Sequence, residues 1–135
     1  MGGNFPTESF LQESLRQLHQ LQMEGVLCDV RIFGKERREF THVHKCVLAS
    51  QSTYFKAMFT SNMQECSKDT IVFENMTDVT TKKLVEWCYT GHIHLTSDDV
   101  EDILDGAHML GKFEVLIILS WHRRLGTDIL VKAYT

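Results

Sequence analysis

The residues best equipped for chemistry in this chain are its cysteines and histidines. His42, His44 and Cys46 alternate, so in an extended strand their side chains share one face, and His92 and His94 form a second alternating pair. Zinc uses such ligands. The cysteines stand at 28, 46, 66 and 88, however, with no CxxC spacing, and no second strong ligand cluster follows. Each is expected to be a buried, reduced thiol. A cysteine and histidine nucleophile pair can be drawn in any chain this rich in both, but there is no glycine-rich oxyanion turn to serve it. P-loop and GxGxxG patterns are also missing. The residues therefore predict no catalytic site, no cofactor and no metal.

The elements that carry these residues fit one domain. A chain of 135 residues buries a core without metal or disulfide support, and 43% apolar with 24% charged residues is ordinary for a globular protein. A formal charge of −4 offers polyanions no general attraction, and the arginine pairs at 37–38 and 123–124 are too short and isolated to make a nucleic-acid patch. No direct binding of nucleic acid is expected. The N-terminal residues lack a basic region followed by an apolar core, and no stretch approaches the roughly 18–20 apolar residues of a membrane span. Cytoplasm or nucleus is the expected compartment.

Periodicity predicts an amphipathic helix over residues 7–24, with Phe10, Leu11, Leu15, Leu18 and Leu21 on one side and Gly25 ending it. Residues 29–33 and 40–44 alternate as two strands of a hairpin around the polar stretch GKERRE. Val47, Leu48, Tyr54, Phe55, Met58 and Phe59 follow at helical spacing in two short pieces, with Ser50 or Ser52 as cap, and should form the centre of the core. A strand at TIVFE, a helix over residues 80–90 ended by Gly91, and a short strand at HIHL come next. Ser97, followed by two aspartates, is the expected start of a further helix through Val100, Ile103, Leu104, Ala107 and Leu110, and residues 113–124 carry another. Strands early, helices late and no regular βαβ alternation give an α+β class.

Three separated segments, GVLCDVRIF, HKCVLASQSTYFKAMFTSNMQE and VEWCYTGHIHL, resemble the BTB/POZ family in their order and spacing, with GVLCDV and YFKAMFT most similar to its kelch-like group. The resemblance covers residues 9–124, leaving 1–8 as a flexible lead-in and 125–135 as a C-terminal extension or the start of a following segment. It implies a small mixed sheet flanked by helical hairpins and a homodimer whose N-terminal helix packs across the two-fold axis through Phe10, Leu11, Leu15, Leu18 and Leu21. It also places a buried charged pair at Asp29 and Lys45, and sets His44 and Cys46 at a strand-to-helix junction where they no longer share a face.

In kelch-like proteins an apolar residue, any residue and then an acid contact the cullin-3 scaffold of ubiquitin ligases, and here Met63 and Glu65 match. Asn62, Phe59 and Tyr89 are expected near that surface, although Tyr89 reads equally well as a core aromatic. The implied function is a homodimeric adaptor, a non-catalytic subunit that links a cullin-3 RING ubiquitin ligase to a substrate protein. The alternative is a BTB module of a transcriptional regulator that dimerises and recruits a corepressor. One departure stands out. Three positions before the family histidine an apolar residue is usual, but here Thr41 stands there and Phe40 is displaced by one, so a strand irregularity is expected to restore the packing.

Overall fold

A computed structural model of the chain describes residues 2–4, 8–61 and 69–111. The first helix, α1 (Glu8–Glu24), ends where Gly25 takes a left-handed backbone, φ 70°. There the Val26 N–H reaches the Leu21 carbonyl at 2.9 Å and the Gly25 N–H reaches Gln22 at 3.1 Å, a Schellman closure that satisfies carbonyls the helix leaves open.

Strands β1 (Val30–Phe33) and β2 (Phe40–Val43) then form the expected hairpin, pairing antiparallel from Val30 with Val43 to Phe33 with Phe40. The chain continues through α2 (Lys45–Gln51) and α3 (Thr53–Thr60) to β3 (Thr70–Val72), which lies parallel to β1 on its other side. The sheet is mixed, in the order β2-β1-β3. Helices α4 (Asp78–Thr90) and α5 (Val100–Leu110) complete the described fold, which is α+β as the residues predict.

The core lies between one face of this sheet and the helices. Val30, Ile32 and Val43 point inward from the hairpin and meet Leu48 of α2, Phe55 of α3 and Leu84 of α4, all nearly inaccessible to solvent. Of the apolar side chains assigned to the centre, Leu48 and Phe55 are fully buried, while Val47, Met58 and Phe59 pack partly exposed around them and Tyr54 reaches the surface. Ser52 joins α2 to α3. Its Oγ accepts from the Phe55 N–H at 3.2 Å and donates to the Leu110 carbonyl, so one hydroxyl starts α3 and holds the end of α5.

The hairpin turn is locked to the start of α4. A Cβ added at Gly34 would lie 2.4 Å from the Asp78 nitrogen, so only glycine permits this approach. Around it the Lys35 N–H donates to the Met76 carbonyl at 2.7 Å, the Arg38 N–H to Asp78 Oδ2 at 3.0 Å, and the Asp78 N–H to Glu36 Oε2 at 2.9 Å. Arg37 pairs with Glu74.

Three expectations are corrected. Residues 92–95 are irregular and form no strand, with Ile93 and Leu95 instead packing partly buried against the core. The start of α5 shifts from Ser97 to Asp99, because residues 97–99 form a turn in which Asp99 Oδ1 accepts from the Thr96 N–H at 2.8 Å. Finally, no irregularity restores Phe40: the register of β1 and β2 is unbroken, so strand alternation turns Phe40 away from the core and leaves it 46% exposed. The helix expected over residues 113–124 lies outside the described residues.

Candidate functional site

The first candidate surface is α1 itself. Its half-buried positions Ser14, His19, Leu21 and Gln22 face the domain, and Gln22 Nε2 donates to the His42 carbonyl at 3.0 Å. The rest of the apolar stripe points away: Phe10 and Leu11 are each 66% exposed, Leu15 50% and Leu18 38%, and Leu21 alone of the five is half-buried. A 17-residue helix is marginal in water by itself, so a stripe of this kind is an unfilled contact surface.

A polar cluster fixes where α1 leaves the domain. His44 is buried between β2 and α2; its Nε2 lies 2.9 Å from the Val26 carbonyl, which can only accept, so this nitrogen carries a hydrogen. In the neutral ring Nδ1 then accepts the Tyr89 hydroxyl proton at 2.6 Å, while the same hydroxyl oxygen accepts from the His44 N–H at 2.8 Å. The His19 ring stands 6.1 Å from that of Tyr89. Tyr89 is 2% exposed, so it is the core aromatic of the two readings and offers no docking surface in the single chain. Burial raises its hydroxyl well above the usual range, with the His44 N–H opposing that shift less strongly.

Asp29 and Lys45 do meet, but not as a charged pair buried within one chain. Asp29 is exposed, and its Oδ1 accepts from the backbone N–H of Lys45 at 2.7 Å, supplying an acceptor to the first turn of α2, where the side chain of the cap residue His44 bonds none of the helix's own N–H groups. The Lys45 ammonium lies 5.6 Å from the centre of the Phe59 ring. Between α2 and α3 runs a groove of about 580 Å³, lined by Lys45, Cys46, Ala49, Thr53, Lys56 and Phe59 among others. Of the residues assigned to cullin docking, Phe59 is half-buried on this groove, whereas Asn62, Met63 and Glu65 lie outside the described residues.

The chemically capable side chains are dispersed. His42 is exposed on β2, His44 points inward and Cys46 is exposed on α2, while among the described residues no three histidines, cysteines or carboxylates come together as a metal site. Cys28 Sγ lies 3.7 Å from His44 Nε2, and burial followed by the neighbouring Asp29 raises its pKa, the reverse of activation. Burial pushes the Cys88 thiol up to about 12. The reading of all cysteines as buried is corrected at Cys46, which is exposed, and Cys28, which is half-buried.

An exposed helix stripe and a groove between two short helices are surfaces of the kind that protein-interaction domains present. The chain belongs to the BTB/POZ family, whose model matches residues 18–119. It is 37% identical to Kelch-like protein 9 of Mus musculus over 102 residues, which is 76% of this chain and 16% of that protein. Kelch-like protein 13 of Homo sapiens is 35% identical over 102 residues, with the same coverage. The chain thus spans about a sixth of the length of the curated relatives it matches. Among solved structures, the BTB domain of zebrafish PATZ1 shares the fold at a TM-score of 0.76 and 19% identity, covering 90% of this chain and 97% of that one. Family membership supports self-association and adaptor-type partners. Among the described residues, no helix is long and apolar enough to cross a membrane.

Proposed function

We propose that the chain is a homodimeric adaptor domain, without catalytic activity of its own, that links a cullin-3 RING ubiquitin ligase to substrates. The observation that carries this reading is the outward stripe of Phe10, Leu11, Leu15 and Leu18 on α1, the helix that the resemblance to kelch-like proteins sets between subunits. Covering the surface still exposed on these side chains gains about 1–2 kcal/mol each at most, and several of them buried together by a second copy work against the entropy cost of association. Residues 9–124 form the adaptor unit, 1–8 its lead-in, and 125–135 an extension or the opening of the next segment. Proximity is the mechanism: two docking surfaces and two substrate sites in one assembly raise effective concentration. The setting is cytoplasm or nucleus.

Met63 and Glu65 form the cullin-3 contact in this reading, with Asn62 and the half-buried Phe59 beside them. Light scattering should give twice the chain mass, and Leu15→Asp should halve it. Calorimetry against the N-terminal domain of cullin-3 should show binding that Met63→Ala/Glu65→Ala removes without unfolding the chain. A folded dimer that ignores cullin-3 ends the ligase reading, and an unchanged mass for Leu15→Asp ends the assignment of the dimer seam. The second reading, a transcriptional-regulator module that recruits a corepressor, is favoured by the groove between α2 and α3, whose size and mixed lining suit an extended peptide.

A further inference from the structure

The outward face of the sheet has a composition that a solvated face does not need. An antiparallel hairpin with one face on the core normally turns polar side chains to water. Here the outward positions of β1 and β2 are Arg31, Phe33, Phe40 and His42, continued by Thr70 and Val72 on β3. Their rings form a contiguous row: Phe33 and Phe40 stand 5.7 Å apart, Phe40 and His42 4.8 Å apart in an edge-on arrangement, and the Arg31 guanidinium lies 5.7 Å from the centre of Phe40. Phe40, Arg31 and His42 are all exposed. The unbroken register is what puts Phe40 outside, where it gives nothing to the core.

The charge beside these rings is mixed, with a local excess of positive charge. Residues 31–39 hold four basic side chains against two glutamates, in a chain whose formal charge is −4. Both a glutamate and an arginine of that stretch are already engaged, Glu36 by the Asp78 N–H and Arg37 by Glu74. Arg31 donates through Nη2 to Thr70 Oγ1 at 3.3 Å, which steadies the guanidinium and leaves further donors for a carboxylate. An occupant cannot simply extend the sheet along β2, because Gln22 of α1 already holds the His42 carbonyl. It must lie across the face.

We propose that the outward sheet face of Arg31, Phe33, Phe40 and His42 docks an acidic peptide segment of a partner protein, with an aromatic or aliphatic anchor seated among the rings. Aromatic residues and arginine are the types that dominate contact energy in interfaces. A short acidic segment answers the local basic patch alone, whereas a nucleic acid is repelled by the net negative charge of the chain as a whole. This surface adjoins the end of α1 but is distinct from its outward stripe and from the groove, so it stands or falls independently of the adaptor reading.

The test uses the full chain and a fluorescent, end-blocked peptide in which Phe and Leu are set among glutamates. Controls are the same peptide with lysines for the glutamates and an oligouridylate of similar length. The acidic peptide should bind more tightly than either control, weaken as salt rises, and shift the backbone amide signals of Phe33, Phe40 and His42. Arg31→Glu and Phe40→Ser, at exposed positions and checked for unchanged circular dichroism and melting, should each weaken it at least tenfold. Equal binding of the lysine peptide, undiminished binding by both variants, or preference for the oligouridylate through the same residues would each overturn the proposal.

Discussion

The Tyr89 hydroxyl satisfies two groups of His44 at once, the backbone N–H and the ring Nδ1, in a place that water does not reach. Removing it leaves buried polar groups unpaired at a cost of about 1–3 kcal/mol. Tyr89→Phe should therefore lower stability by that amount in urea unfolding, although the ring is kept and no large cavity forms. Leu27 is the opposite case. Its backbone is left-handed, φ 62°, and its side chain is 80% exposed, so it bears steric strain while burying little in the single chain. Leu27→Asn, which tolerates that conformation, should raise the stability of the isolated chain by up to about 1 kcal/mol. An unchanged melting temperature would show that the strain is negligible. The sequence offered Tyr89 equally to core and surface because a hydroxyl partner 45 positions away leaves no local mark.

At the scale of elements, Asp99 shows how a helix start is chosen. Ser97 and Asp99 are equally good cap types, yet Asp99 occupies the position; its side chain caps no N–H of α5, and its carboxylate instead binds the Thr96 N–H and the Lys83 ammonium of α4 together. Partial burial alone would raise the Asp99 pKa; the bonds from Lys83 and Thr96 outweigh it and hold the carboxyl below the ordinary range. A carboxyl lowered in the folded state stabilises above its unfolded value of about 4, and that contribution disappears as pH falls through the lowered folded value. Asp99→Asn should cost about 1 kcal/mol at pH 7, and the difference from the parent should vanish in unfolding curves recorded at strongly acidic pH. A difference independent of pH would assign the effect to packing. The tertiary partner on α4 is what sequence periodicity could not supply. Amphipathic spacing and the stops at Gly25 and Gly91 were by contrast legible, since both act within a few residues.

For the whole molecule, self-association makes stability depend on concentration. Partners that bind only the folded chain raise its apparent stability by mass action, so the melting temperature should climb with chain concentration, and Leu15→Asp should remove that slope. The α1 stripe was legible because five apolar side chains repeat at helical spacing. Its outward direction was expected from the family resemblance, whereas the inward neighbours His19 and Gln22, which set that direction, are polar and went unmarked. The sheet face is illegible in the sequence for a related reason: Phe40 reads as a core residue by its apolar type, and only an unbroken register turns it outward.

The order β2-β1-β3 also governs time. The hairpin of β1 and β2 closes over a short turn, but the parallel partner of Arg31 is Thr70, reached only after α2 and α3 have been traversed. Loop closure across that separation must be met before the pairing returns anything, so contact order delays β3 while the hairpin and the two helices can assemble locally. Until it docks, one side of the middle strand stays open. Contact order therefore predicts that the last pairing to form lies beside the strand on which both the core and the outward face are built, so in hydrogen-exchange labelling during refolding the amides of β3 should gain protection after those of the hairpin.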